Sequence, residues 1–137
     1  RFHLVIKKHD SDTLVMPLQG HIPCPDFSAT ELLTVADYVI TDYSSIALEA
    51  ALIDVKTLYF LYDFDRYFET NGINIDIEQE MPGCVLRDAD GLRAALAAEY
   101  PADVLQRYKA KYLFPDPGHS TLDLVNHMVE EGGLCTR

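Results

Sequence analysis

The stretch Val39-Ile40-Thr41-Asp42-Tyr43-Ser44-Ser45-Ile46 places two hydroxyls and a carboxylate where an apolar, β-branched run gives way to an alanine-rich one. If the first run is a buried strand and the second a helix, the helix start offers unpaired N–H groups and a partial positive charge. Both suit phosphate oxygens. The hydroxyls of Ser44 and Ser45 add donors that rotate to meet an anion. Ligands of open α/β sheets sit outside the carboxyl ends of the strands, where this junction falls. The plainer alternative makes Ser45 an N-cap and Ser44 a turn residue.

A second strand end, Lys7-Lys8-His9-Asp10, follows the apolar run Phe2 to Ile6. Two strand ends of one parallel sheet open onto the same edge, so His9 and the serines are candidates for one crevice. An imidazole there neutralises developing phosphate charge or moves a proton near neutral pH; the alternative is a solvated turn. Glu49, one helical turn after Ser45, either faces solvent or accepts hydrogen bonds from ribose hydroxyls. From Asp63 to Glu80 six carboxylates stand against Arg66 alone. Their spacing matches no calcium loop, so a solvated face or lid is expected and no metal site.

The elements that would position these groups alternate along the chain. Phe2 to Ile6, Tyr38 to Thr41 and Thr57 to Tyr62 read as strands buried on both faces, with a short edge strand at Cys84 to Leu86 and Leu14 to Met16 a candidate for another. Ser28-Ala29-Thr30-Glu31 is a capping box opening a helix through about Ala36. Further helices are expected at 46–53, 89–99, 102–113 and 120–131, the last with Leu122, Val125 and Val129 at helical spacing. Strand and helix alternating at this pitch imply a parallel sheet flanked by helices, an α/β Rossmann-like fold. Residues 1–137 read as a single domain.

Composition narrows the function. With 11 basic and 22 acidic residues the net charge is −11, which repels a nucleic-acid backbone. The longest uncharged stretch, Thr13 to Pro25, holds three prolines and a glycine and cannot cross a membrane as a helix. Cys24, Cys84 and Cys135 are far apart and form no CxxC pair, as expected of reduced thiols in the cytoplasm. The chain opens on an apolar run without a methionine, the expected appearance of a piece of a longer protein.

The same residues carry a resemblance. Ile6-Lys7-Lys8-His9, then Ala36-Asp37-Tyr38-Val39-Ile40-Thr41-Asp42-Tyr43-Ser44-Ser45-Ile46, Tyr62-Asp63 with Tyr67, Gly72, and Pro82-Gly83 fall in the order and approximate spacing of the CDP-glycerol glycerophosphotransferases. These are teichoic-acid primases and polymerases, and the likeness is to the carboxyl-terminal half of their two-domain GT-B fold. It runs over about residues 4 to 129, and the Thr-Asp-Tyr-Ser-Ser core is its specific part. The resemblance implies a domain that binds CDP-glycerol or CDP-ribitol, with no separate cofactor. Its partners would be the CDP-polyol donor and a polymer or lipid-linked acceptor held by an absent amino-terminal half, at the inner face of the cell membrane. By position it implies His9 as the catalytic group stabilising phosphate charge, Asp42, Ser44 and Ser45 at the donor phosphates, and Glu49 at the nucleotide. Asp10 replaces the family's usual proline, and Asn71 the usual arginine. The alternatives are a nucleotide-sugar glycosyltransferase or epimerase half of the same fold, and a non-catalytic binding module.

Overall fold

A strand at the centre of a sheet needs hydrogen-bond partners on both edges and apolar neighbours on both faces. Lys56–Phe60 meets that description, with Thr57, Leu58 and Tyr59 all buried. The computed structural model describes residues 2–8, 20–113 and 118–131. Within them the order is α1 (Ala29–Leu33), β1 (Tyr38–Thr41), α2 (Ile46–Leu52), β2 (Lys56–Phe60), α3 (Phe64–Asn71) and α4 (Ile77–Glu80). Then come β3 (Val85–Leu86), α5 (Ala89–Ala97), α6 (Ala102–Tyr112) and α7 (Ser120–Glu131). The three strands form a parallel sheet in the order β1-β2-β3. This is the expected α/β arrangement.

Local chemistry explains the boundaries. Ser28 and Glu31 make the full capping box: Glu31 N donates to Ser28 Oγ at 3.1 Å and Ser28 N to Glu31 Oε2 at 2.8 Å. Ala47 and Ala51 of α2 are small enough to bring the helix close to the sheet, where they join a core with Leu58, Leu61, Met81 and Cys84. Val104, Leu105 and Tyr108 of α6 complete it. Asp54 leaves α2 with φ of 60°, a left-handed conformation unusual for a side chain with a Cβ. Gln106 and Lys109 of α6 both donate to its carboxylate, which ties that turn to the second helix.

The sheet has one gap, and a side chain fills it. β3 is only two residues long, so it serves Tyr59 and Phe60 of β2 but not Thr57. The Tyr100 hydroxyl takes its place: Thr57 N donates to Tyr100 Oη at 3.1 Å, and Tyr100 Oη donates to Thr57 O at 3.2 Å.

The first expected strand needs correction. Phe2 to Ile6 is no doubly buried strand: Phe2, His3 and Leu4 are exposed, and among the described residues the run makes a single parallel bridge, Leu4 with His21. An apolar run becomes a strand only where a neighbour meets its backbone, and among the described residues only Ile22 N donates, to Leu4 O at 2.7 Å. The acidic stretch carries α3 and α4. On α7 the apolar positions Leu122, Leu124, Val125, Met128 and Val129 are exposed. Periodicity identifies an apolar face without saying what covers it. The possible strand at Leu14 to Met16 lies outside the described residues.

Two measurements follow. Tyr100→Phe leaves a buried N–H and C=O of Thr57 without their partner and should cost about 1–3 kcal/mol in urea unfolding; a loss below about 0.5 kcal/mol would mean that the hydroxyl is dispensable. Burial also pushes the phenols of Tyr59, Tyr100 and Tyr108 above their ordinary range. The folded state therefore keeps protons that the unfolded state loses. Their stabilising contribution is complete below about pH 10 and falls as pH rises further. Phenolate absorbance of these residues should appear together with unfolding, and gradual ionisation of all tyrosines without unfolding would contradict it.

Candidate functional site

The carboxyl end of β1 runs through Asp42 and Tyr43 into Ser44, Ser45 and the first turn of α2. The plainer alternative made Ser45 the cap; it holds the cap position, but its hydroxyl bonds nothing and the contact to the helix start comes from Ser44. Ser44 Oγ accepts from Ile46 N at a long 3.4 Å, and Ser44 O accepts from Ala47 N. Ser45 already has helical backbone angles and its side chain caps nothing. Its hydroxyl is exposed and, among the described residues, makes no hydrogen bond. A donor in that state at a helix start is available to an anion.

Tyr43 anchors this turn. Its ring stacks on Tyr67 of α3 with centroids 3.6 Å apart and planes 8° from parallel. Its hydroxyl donates to Asp63 Oδ1 at 3.2 Å, just before α3. Burial first, then the Asp63 carboxylate, pushes the phenol up to about 12, so it stays a donor throughout the physiological range. The loops leaving β1 and β2 are thus locked together beside the two serines.

β3 delivers a third group to the same edge. Arg87 follows Leu86 directly; its guanidinium pairs with Glu78 at 2.6 Å and lies 4.1 Å over the centre of the Phe64 ring. It is close enough to Tyr43 to oppose part of the rise in that phenol's pKa. An open cavity of about 540 Å³ is lined by Tyr62, Asp63, Phe64, Asp65, Arg66 and Arg87.

The remaining candidates are placed as follows. Asp42 is exposed in the turn; as a carboxylate it cannot donate to phosphate, so any contribution there runs through its backbone. Glu49 is half-buried and is neither simply solvent-facing nor free: its Oε2 accepts from Thr30 Oγ1 of α1 at 2.7 Å. His9 lies outside the described residues. Lys7 Nζ donates to Cys24 O at 3.2 Å. Asn71 ends α3 and turns back on Tyr67 O at 3.5 Å, at the opposite end of that helix from the cavity. Among the described residues no group of three His, Cys, Asp or Glu side chains comes together to hold a metal. Sequence reasoning missed Arg87, although the rule that pointed to Ser44 applies equally to the residue leaving β3.

A parallel sheet flanked by helices, with polar side chains at its carboxyl edge, defines a Rossmann-like class of domain. Comparison with known proteins makes this specific. The family model of the CDP-glycerol:poly(glycerophosphate) glycerophosphotransferases matches residues 2–130, and the chain belongs to that family. A teichoic acid poly(ribitol-phosphate) polymerase of Bacillus spizizenii is 35% identical over 78 residues, covering 54% of this chain and 13% of that protein. A teichoic acid glycerol-phosphate primase of the same organism is 26% identical over 77% of this chain and 28% of its own length. A teichoic acid ribitol-phosphate primase, also from that organism, is 23% identical over 87% of this chain and 31% of its own length. The chain thus spans less than a third of the length of each of these relatives.

The separate roles of the serines set the cleaner experiment. Ser45→Ala should weaken binding of CDP by about 1.5–3 kcal/mol, the range for a hydrogen bond to a charged group, with the melting temperature nearly unchanged. Ser44→Ala should instead remove a cap and cost about 1 kcal/mol of stability. Calorimetry and thermal unfolding of both variants separate the two roles, and an unchanged CDP affinity in Ser45→Ala would remove Ser45 from the phosphate site.

Proposed function

We propose that this chain is the donor-binding domain of a transferase that moves glycerol phosphate, or ribitol phosphate, from a CDP carrier to a hydroxyl of a teichoic-acid or capsular polymer. The observation that carries the reading is the unpaired Ser45 hydroxyl at the β1–α2 junction, in a chain that belongs to the glycerophosphotransferase family. The names of the relatives, glycerol-phosphate and ribitol-phosphate primases and a ribitol-phosphate polymerase, support the polyol phosphate as the transferred group.

In the proposed reaction an acceptor oxygen attacks the β-phosphorus of the donor. The bond from that phosphorus to the bridging oxygen breaks, and CMP leaves with the electron pair. The diphosphate is already activated, so the chemistry draws on no resident cofactor. Ser45, the N–H groups at the start of α2 and His9 stabilise charge on the phosphates, an electrostatic contribution. Glu49 serves the ribose, and Asp42 shapes the turn. The base that takes the acceptor proton comes from a second domain that also holds the acceptor, placing the whole enzyme at the inner face of the membrane. No helix among the described residues is long and apolar enough to span a bilayer.

Calorimetry with CDP-glycerol, CDP-ribitol, a UDP-sugar and a GDP-sugar tests this reading. The CDP-polyols should bind and the sugar nucleotides should bind at least tenfold more weakly, about 1.4 kcal/mol. Preference for a sugar nucleotide would assign the domain to a glycosyltransferase or epimerase. Mixed with CDP-glycerol and polymer acceptor, the chain alone should bind the donor without releasing CMP, because one wall of a cleft cannot align both reactants.

A further inference from the structure

Asp63 stands at the N-cap position of α3, where an aspartate ordinarily accepts from the first turn of its own helix. Its side chain caps nothing. Oδ1 accepts instead from the Tyr43 hydroxyl at 3.2 Å, 20 residues away in the chain. A local contact is thus given up for a long-range one, at the sheet edge that also carries the unbonded Ser45 hydroxyl. A carboxylate at that edge repels an anion. Its charge works against a phosphate ligand, and only its accepting oxygen works for one.

The same turn of α3 holds the other side of Tyr43. Tyr67 N donates to Asp63 O at 2.9 Å, so one backbone turn presents both the carboxylate and the Tyr67 ring. The stack at 3.6 Å sets the plane of the Tyr43 ring, and the hydroxyl contact sets its direction. What Tyr43 steadies is a helix start with little hold of its own. Ser44 Oγ accepts from Ile46 N at 3.4 Å, Ser44 O from Ala47 N at 3.3 Å, and Ser45 O from Glu49 N at 3.5 Å. All three are long; Leu48 N to Ser45 O, at 2.9 Å, has the usual length. Donors aimed at a phosphate act only when held in place, and here the hold comes from outside the turn.

We propose that Asp63 and Tyr67 are positioning residues for the phosphate turn, acting through Tyr43 to hold Ser45 and the first N–H groups of α2 where a phosphate oxygen meets them. The inference rests on the phosphate role proposed above for Ser45. Asp63 serves as an acceptor and not as a charge, so an uncharged acceptor in its place does the same work.

The test is calorimetry with CDP on the purified chain, beside thermal unfolding of each variant. Asp63→Ala should weaken CDP about tenfold, the scale of one hydrogen bond to a charged group. Tyr43→Phe removes the same bond from its other side, keeps the stack and should reproduce the loss, so either variant decides the matter if the other fails to fold. Asp63→Asn keeps an accepting oxygen and should bind CDP at least as tightly as the wild type. Tyr67→Phe should bind normally, and Tyr67→Leu, which loses the stack, should bind several-fold more weakly. In a Ser45→Ala background Asp63→Ala should add less than about a twofold further loss, because the hydroxyl it aims is already gone. A merely structural role predicts instead that the two losses multiply, and that outcome would overturn the positioning role. Unchanged CDP affinity in folded Asp63→Ala and Tyr43→Phe would overturn it too, while leaving the proposed function intact. Absence of CDP binding by the wild type would overturn the donor reading and the positioning role together.

Discussion

Everything in this domain hangs on the completeness of β2's hydrogen bonding. A strand buried on both faces has no water to fall back on, so each N–H and C=O must find a protein partner. β1 supplies one edge over its full length, while β3 supplies only the carboxyl-terminal part of the other. The Tyr100 hydroxyl, both donor and acceptor, is the smallest group that can stand in for the missing strand residue. Because Tyr100 lies two residues before α6, the same contact holds the start of that helix and helps seat Val104, Leu105 and Tyr108 against the sheet.

The polar edge inherits its order from this core. β1, β2 and β3 run in parallel, so their carboxyl ends release Tyr43, Asp63 and Arg87 at one side of the sheet. The Tyr43–Tyr67 stack and the Tyr43–Asp63 hydrogen bond then join two of these loops through side chains rather than backbone. A part-buried hydrogen bond from a phenol to a carboxylate is stronger than a neutral one, and the raised pKa of Tyr43 expresses the same preference for the protonated phenol. The serine turn is therefore braced from outside, which lets the Ser45 hydroxyl remain unbonded without loosening the helix start.

Much of the fold was legible because its signals were local. The capping box at Ser28, the break after Thr41 and the uncharged run around Leu58 each encode an element within a few residues, and the structure has all three. Long-range consequences were not legible. Nothing in Phe2 to Ile6 says whether a neighbouring strand is present, and nothing on α7 says what meets Leu122 or Val129. For the site, the motif pointed to Ser44 and Ser45 but not to which of them caps. That depends on where the backbone enters helical geometry, a matter of one residue that propensity does not resolve. Arg87 and the Tyr43–Asp63 pair were hidden for another reason: they meet only through strand register, across 20 or more residues of sequence.

The Tyr43–Tyr67 pair also has an optical meaning. The chain contains eight tyrosines and no tryptophan, so its near-ultraviolet dichroism and emission are dominated by tyrosine. Two nearly parallel rings 3.6 Å apart are electronically coupled, and one of them is hydrogen-bonded to a carboxylate. The domain thus carries a built-in chromophore beside the serine turn, and no indole elsewhere in the chain masks its signal.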